Sequence, residues 1–126
     1  MKGTLPEFQR FRMEMNEEIH ASDHLGIKRF FALDHQCYVD GALPAKTKEL
    51  LGLVASAVLR CDDCITYHLV QCAEAGWERD EMIDALNVAL VVGGSIVIPH
   101  LRRAFARVRE IPQLHRRRRV AKTGAK

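Results

Sequence analysis

Residues 49–68 read ELLGLVASAVLRCDDCITYH, and this stretch decides how the rest of the chain is interpreted. Its first half repeats apolar residues at intervals of three and four, which is the pattern of a largely buried helix. The pattern predicts one helix over about residues 44–59, with Glu49 as a charge in an otherwise apolar stripe. The second half holds Cys61 and Cys64, followed by His68. A buried helix is therefore followed at once by a compact set of reactive side chains.

A second helix is predicted to begin at the cysteines. Asp62 or Asp63 can cap a helix over about residues 64–75, and Gly76 can end it. Cys64 then lies in the first turn, where the partial positive charge of the helix lowers the pKa of a thiol from about 8.5. The two carboxylates oppose this effect, because negative charge beside a forming thiolate raises its pKa. The balance between the two effects stays open at this point.

Cys64 and His68 are four residues apart, so they share one helix face and the imidazole can accept the thiol proton. A carboxylate that orients such an imidazole strengthens it as a base, and Glu49 is the natural candidate. Cys61 can form a disulfide with Cys64, which rescues a sulfenic acid produced by peroxide from further oxidation. We therefore take Cys64, Cys61, His68 and Glu49 as candidate catalytic residues, with no cofactor and no metal.

Outside this stretch the sequence predicts further helices. Thr4, Pro6 and Glu7 form a typical helix start, and a glycine pair at residues 93 and 94 marks a helix end. The predicted helices span about residues 4–20, 23–40, 44–59, 64–75, 78–93 and 95–109. No alternating apolar pattern bounded by hairpin turns is present. The prediction is an all-α, single-domain helical bundle of about six helices over residues 1–112.

The composition fits this class. The chain has 126 residues, of which 48% are hydrophobic and 28% charged, as in ordinary globular domains. Its longest apolar stretches are shorter than the roughly 20 residues of a membrane-spanning helix, so no membrane partner is expected. The N-terminal residues lack the pattern of a secretory signal, which favours a cytoplasmic location. In a reducing cytoplasm, a Cys-x-x-Cys pair indicates redox chemistry or metal binding.

The positive net charge lies at the end of the chain. Residues 115–126 hold six Lys or Arg and no acid, and removing those six charges from the net +3 leaves residues 1–114 at −3. An arginine run can bind nucleic acid through phosphates. No aromatic residue is interleaved with these arginines, and the rest of the chain is acidic. We interpret residues 113–126 as a basic, disordered tail and expect no nucleic-acid partner.

The arrangement Glu49, eleven residues, Cys61-Asp62-Asp63-Cys64, three residues, His68 resembles the signature of the alkylhydroperoxidase D/carboxymuconolactone decarboxylase superfamily. Residues 41–44 (GALP), 75–76 (AG) and 93–100 (GGSIVIPH) are also similar to that superfamily. The resemblance covers roughly residues 25–110. The short length of the chain is similar to that of the branch with a single motif.

The resemblance implies an all-helical subunit that assembles as a trimer or hexamer. It also implies that Cys64 attacks peroxide, that Cys61 resolves the product, and that protons pass from Glu49 through water to His68. A lipoyl-bearing protein or another thiol would be the reductant. The antioxidant members carry a His where this sequence has Asp63, a difference that bears on peroxidase activity more than on redox chemistry. The predicted function is a thiol-dependent peroxidase or a disulfide reductase acting on a peroxide or small-molecule substrate.

Three alternatives stay open. The chain could be a redox sensor that only switches between dithiol and disulfide, or a zinc scaffold in which Cys72 supplies a fourth ligand. Lactone decarboxylation is a weaker alternative, because that branch generally lacks the cysteine pair. His100 could line the site, but we favour a place in the core or at a subunit contact. The apolar stretches at residues 50–59 and 88–98 exceed what a small monomer hides, which favours a homo-oligomer.

Overall fold

The computed structural model describes residues 3–114, and over that range it confirms the all-α class. Six α-helices and two short 3₁₀ helices follow one another, with no strand among the described residues. The α-helices are α1 Leu5–Ala21, α2 Leu25–Cys37, α3 Ala45–Val58, α4 Asp62–Glu74, α5 Arg79–Gly93 and α6 Ile98–Glu110. The 3₁₀ helices are Ser95–Val97 and Pro112–Leu114. The predicted basic tail lies outside the described residues from residue 115 onward.

The chain forms two compact units, Met1–Lys48 and Glu49–Lys126, whose boundary falls within α3. This division is finer than the single domain predicted for residues 1–112, which stays a prediction. In the first unit α1 begins as predicted, because the Thr4 hydroxyl accepts a hydrogen bond from the Glu7 amide and the Glu7 carboxylate accepts one from the Thr4 amide. These hydrogen bonds, the backbone one first, lower the pKa of Glu7.

The first unit also prepares the start of α3. The Asp40 carboxylate accepts a hydrogen bond of 2.7 Å from the Ala45 amide, which satisfies one of the open amides at the helix N-terminus. The Lys48 ammonium donates to the carbonyl oxygens of Cys37 and Val39, at 3.0 and 2.8 Å. The loop that leads into the Glu49 helix is therefore fixed by hydrogen bonds at both of its ends.

The core of the second unit lies around α4. This helix buries residues on more than one side, and α5 and α6 both pack against it. The largest fully buried side chains of this unit are Leu53, Ile65, Leu69, Met82, Leu86, Leu114, Val97 and Cys72. Because the interior is closely packed, α4 has little freedom to shift. The helix that carries the second cysteine and the histidine is thus held by its neighbours.

The start of α4 differs from the prediction. The helix begins at Asp62, and Cys61 is the N-cap, with its Sγ accepting a hydrogen bond of 3.2 Å from the Cys64 amide. The predicted caps, Asp62 and Asp63, instead occupy the first turn, where their charge complements the helix dipole. Arg60, with φ at 60°, turns the chain between α3 and α4. The cysteine pair therefore lies on the tight turn itself.

The connection between α5 and α6 is also tighter than predicted. Helix α5 ends at the glycine pair as expected, and Gly94 has a φ of 82°, which favours glycine. The predicted helix over residues 95–109 begins as a 3₁₀ turn and becomes α-helical only at Ile98, with Pro99 tolerated in its first turn. Within residues 3–114, none of the helices combines the length and the apolar character that crossing a bilayer requires.

Candidate active site

The cysteine pair lies at the N-terminus of α4. Cys61 and Cys64 are joined by a disulfide, with their Cα atoms 5.2 Å apart. Cys64 is exposed and Cys61 is half-buried. Because the Cys64 side of the bond faces solvent, a dissolved thiol can reach it.

The histidine and the glutamate form a buried pair one turn further along. His68 Nδ1 lies 2.9 Å from Glu49 Oε1, and the two side chains are only 10% and 12% exposed. The pair joins α3 to α4. With Nδ1 engaged by the carboxylate, the ring is held in one orientation. The structure thus brings two of the predicted residues into direct contact, and joins the other two covalently.

Gly52 makes this contact possible and was missed by the sequence analysis. A Cβ atom at this position would lie 2.6–2.9 Å from three atoms of the His68 ring, closer than atoms can approach. A glycine here lets the imidazole lie directly against the α3 backbone. The signal was present in the sequence, since Gly52 follows Glu49 by three residues and so shares its helix face.

Cys72 lies in the core next to the same carboxylate. Its side chain is fully buried, and burial, followed by the negative charge of Glu49, raises the pKa of its thiol to about 12. A thiol with this pKa stays protonated at neutral pH and is a poor nucleophile. Cys72 is also the fourth ligand in the zinc alternative. Among residues 3–114, no group of three or more His, Cys, Asp or Glu side chains could hold a metal ion.

A second histidine–carboxylate pair lies at the cysteine turn. His100 Nδ1 is 2.8 Å from Asp62 Oδ1, and Arg103 Nη1 donates to Asp62 Oδ2 at 3.1 Å. The prediction puts His100 in the core or at a subunit contact, and the structure places it against Asp62, the first of the two residues between the cysteines. The sequence pattern does not connect Asp62 or Arg103 with His100. No local spacing relates α4 to α6, because the partners are about forty residues apart.

One turn further along, α6 contacts α4 again. Arg107 is buried, donates to the Thr66 hydroxyl at 3.3 Å, and also pairs with Glu110 at 2.9 Å. Residues 100, 103 and 107 recur at intervals of three and four, so one face of α6 holds one face of α4. The position of the cysteine turn therefore depends on polar contacts from α6.

The arrangement as a whole combines an accessible disulfide at a helix N-terminus with a buried, oriented imidazole on the same helix. Reduction of this disulfide gives a dithiol. Its thiolate can attack a substrate, and thiol–disulfide exchange can then regenerate the dithiol. The imidazole can take up and return a proton. These are the elements of two-electron redox chemistry at sulfur.

Comparison with known proteins agrees with this fold. The model of the carboxymuconolactone decarboxylase family matches residues 26–107. A family member from Thermotoga maritima, for which a role in the antioxidative response has been suggested, is 57% identical, with a TM-score of 0.76 over 80% of this chain and 86% of that one. A family member from Legionella pneumophila shares the fold at 21% identity, with a TM-score of 0.75 over 82% of this chain and 92% of that one.

A further relative is an uncharacterized protein of the cox locus of Paracoccus denitrificans. It is 29% identical over 82 residues, which are 65% of this chain and 74% of the relative. The family match covers well over half of the chain and includes the cysteine pair, His68 and Glu49. The fold, the match and the geometry of the site agree, and this chain belongs to the carboxymuconolactone decarboxylase family.

Proposed function

We propose that this chain is a thiol-dependent peroxidase or disulfide reductase that works through the Cys61–Cys64 pair. One observation carries the proposal: an accessible disulfide begins the helix on which His68 is held by Glu49 at 2.9 Å. A histidine that serves only to stabilise the fold needs no cysteine pair one turn away. A cysteine pair used only for stability needs no buried base.

The oxidative half-reaction begins with the reduced pair. The Cys64 thiolate attacks one oxygen of the peroxide and the O–O bond breaks. The other oxygen leaves as an alcohol or as water after it takes a proton, and Cys64 becomes a sulfenic acid. The Cys61 thiol then attacks the Cys64 sulfur, which forms the disulfide and releases water. His68, oriented by Glu49, accepts the proton of the thiol and returns it to the leaving oxygen.

The reductive half-reaction needs a dithiol. One thiolate of the reductant attacks the exposed Cys64 sulfur and forms a mixed disulfide, while Cys61 leaves as a thiol. The second thiol of the reductant resolves this bond, so two electrons pass to the protein and the reductant leaves oxidised. A lipoyl-type dithiol or another small dithiol fits this chemistry. When a substrate disulfide takes the place of the peroxide as oxidant, the reduced pair passes its two electrons to that disulfide by thiol–disulfide exchange, and the protein acts as a disulfide reductase.

The Thermotoga maritima relative supports the antioxidant form of the proposal, since a role in the antioxidative response has been suggested for it. Asp63, which directly precedes Cys64, favours the broader form. Asp63 is exposed and negatively charged in this chain, and it has no ring that can relay a proton. We therefore expect redox turnover of the pair in every case, and peroxide turnover that is slower than in relatives with a His there.

The experiment is a peroxide-consumption assay with dithiothreitol as reductant, on wild type and on Cys64→Ser. Cys37→Ser is the matched control, because Cys37 is a free and exposed cysteine outside the site. The proposal predicts turnover in wild type and Cys37→Ser and none in Cys64→Ser. Equal peroxide consumption by all three proteins would contradict the mechanism. A wild type that forms and loses its disulfide but consumes no peroxide would instead be a reductase or a redox sensor.

Lactone decarboxylation is a second candidate, favoured by the description of the matching family. That chemistry uses His68 and Glu49 as acid and base and does not need sulfur. It predicts that activity on a muconolactone survives the double change Cys61→Ser and Cys64→Ser but is lost in His68→Gln. Loss of this activity in the double cysteine variant would exclude lactone decarboxylation that does not need sulfur.

We also propose that the chain works as a cytoplasmic homo-oligomer, a trimer or a hexamer. Large apolar side chains of the second unit are exposed in the single chain, among them Leu59, Val91 and Val92 at 76%, 77% and 68%. Exposed apolar side chains in such number are typical of a surface that a partner subunit covers. Light scattering after gel filtration should give a multiple of the chain mass, and Val91→Asp should reduce it. A wild-type monomer at micromolar concentration would contradict the proposal.

A further inference from the structure

Asp62 directly follows Cys61 in the sequence, and its carboxylate is held on both of its oxygens. His100 Nδ1 contacts Oδ1 at 2.8 Å, and Arg103 Nη1 donates to Oδ2 at 3.1 Å. Both partners come from the first two turns of α6, so one helix clamps the residue next to Cys61 on another helix. A carboxylate engaged on both oxygens cannot rotate freely, and its position fixes the first turn of α4.

This carboxylate has a chemical effect besides its structural one. Negative charge next to a forming thiolate destabilises the thiolate. Asp62 and Asp63 place two such charges in the first turn that also contains Cys64. A paired guanidinium offsets one of them, and a histidine that donates to the carboxylate spreads its charge. Asp63 is exposed and has water around it, which screens its charge more than that of Asp62.

We propose that His100 and Arg103 are positioning residues for the cysteine pair, which act through Asp62 to hold the turn and to offset its negative charge beside Cys64. Their contacts are with Asp62, whereas His68 and Glu49 contact each other and are proposed to move protons. The inference rests on the proposed function in one respect, namely that Cys64 is the reactive sulfur. It assigns to α6 the task of setting how readily that sulfur ionises.

Two other charged or titratable groups near the turn are engaged by contacts of their own, and the exposed Arg60 directly precedes Cys61. On α4, His68 is engaged by Glu49 of α3, away from the first turn. On α6, Arg107 contacts Thr66 and Glu110. Arg102 is exposed and adjacent to Arg103 in the sequence, so it carries the same charge on a different face of the helix. This makes Arg102 a matched control for the loss of one positive charge.

The test measures how fast iodoacetamide alkylates Cys64 in the fully reduced protein between pH 5 and 10, with mass spectrometry of the Cys64 peptide as the readout. Arg103→Gln should slow alkylation at pH 7 about three- to tenfold relative to Arg102→Gln, since tenfold corresponds to one pH unit in the ionisation midpoint. Arg103→Lys should keep the rate within about twofold of wild type, and His100→Ala should slow it about two- to threefold. Asp62→Asn should speed it.

The double variant Asp62→Asn with Arg103→Gln decides whether Arg103 acts through Asp62. The proposal predicts that Arg103→Gln changes the rate by less than about twofold once the carboxylate is gone. It is overturned if Arg103→Gln matches Arg102→Gln, or if it slows alkylation equally in the Asp62→Asn background. A purely structural role would lower the thermal midpoint and leave the pH profile unchanged, which also overturns it. Alkylation needs no peroxide, so the absence of peroxidase activity would contradict the peroxidase form of the proposed function and leave this test intact.

Discussion

In each of two histidine–carboxylate pairs of this chain, Nδ1 of the ring contacts a carboxylate oxygen. The distance between the two atoms is nearly the same, 2.9 Å for His68–Glu49 and 2.8 Å for His100–Asp62. They differ in burial. The first pair is 10% and 12% exposed, whereas the second is 17% and 38% exposed and shares its carboxylate with a half-exposed arginine. In the buried pair neither partner has water that could replace the other, so loss of one partner leaves the other without a substitute contact. This difference agrees with the roles proposed above, in which the buried pair moves a proton and the exposed pair adjusts a charge.

The largest expected effect comes from breaking the buried pair. In Glu49→Gln the imidazole keeps a neighbour of the same size but loses the carboxylate, so we expect the kcat/KM for peroxide to fall about a hundredfold or more. Asp62→Asn makes the same chemical change in the exposed pair and should alter kcat/KM by less than about tenfold. Equal losses in the two variants would contradict the division of roles between the pairs.

Gly52→Ala breaks the buried pair without changing either of its members. The new Cβ would meet the His68 ring at 2.6–2.9 Å, so the ring or the α3 backbone must shift, which disturbs the contact with Glu49. We expect about a tenfold or larger loss of peroxide turnover and a loss of roughly 1–3 kcal/mol in the free energy of unfolding. Gly26→Ala is the control, because a Cβ there comes no closer than 3.2 Å to the exposed His24 ring. Urea unfolding and turnover that are unchanged in Gly52→Ala would show that the contact is not needed.

The Cys72 thiol reports on the surroundings of the buried pair through stability at high pH. Its pKa is raised from an ordinary value near 9.0 to about 12, by burial first and then by the charge of Glu49. The stability that this group contributes is fully present below pH 9 and is lost as the pH rises toward 12, since the unfolded thiol ionises first. Wild type should therefore lose up to about 1.4 kcal/mol per pH unit relative to Cys72→Val in this window. If urea unfolding gives the same difference in free energy of unfolding between the two proteins at every pH from 9 to 11, this prediction is contradicted.

The smallest effect is that of salt on the exposed pair. Raising the ionic strength from about 0.01 to 1 M shortens the Debye length from about 30 to about 3 Å. The Arg103–Asp62 contact is half-exposed, so we expect the difference in Cys64 alkylation between Arg103→Gln and Arg102→Gln to shrink to less than about half. The loss of turnover in Glu49→Gln should stay unchanged over the same range. Equal salt sensitivity of both effects would mean that the two pairs do not differ in screening.

The sequence predicted the helices and the buried pair because both depend on local spacing. Glu49, Cys61, Cys64 and His68 lie within twenty residues on two consecutive helices, and the turn between these helices brings them together. The contacts of His100 and Arg103 could not be predicted in this way. They depend on how α6 packs against α4, about forty residues away. The cap of α4 was missed for another reason, since Cys61 accepts through sulfur where an aspartate was expected.

The central claim is that Cys64 is the sulfur that attacks peroxide, and it is tested most directly by trapping the product. In the reduced Cys61→Ser variant no resolving thiol is available, so one equivalent of peroxide followed by dimedone should label Cys64 as a sulfenic acid. We predict that mass spectrometry finds the adduct on the Cys64 peptide, and that Glu49→Gln in the same background slows its formation. Adduct on Cys37 alone, or no adduct at all, would contradict the account.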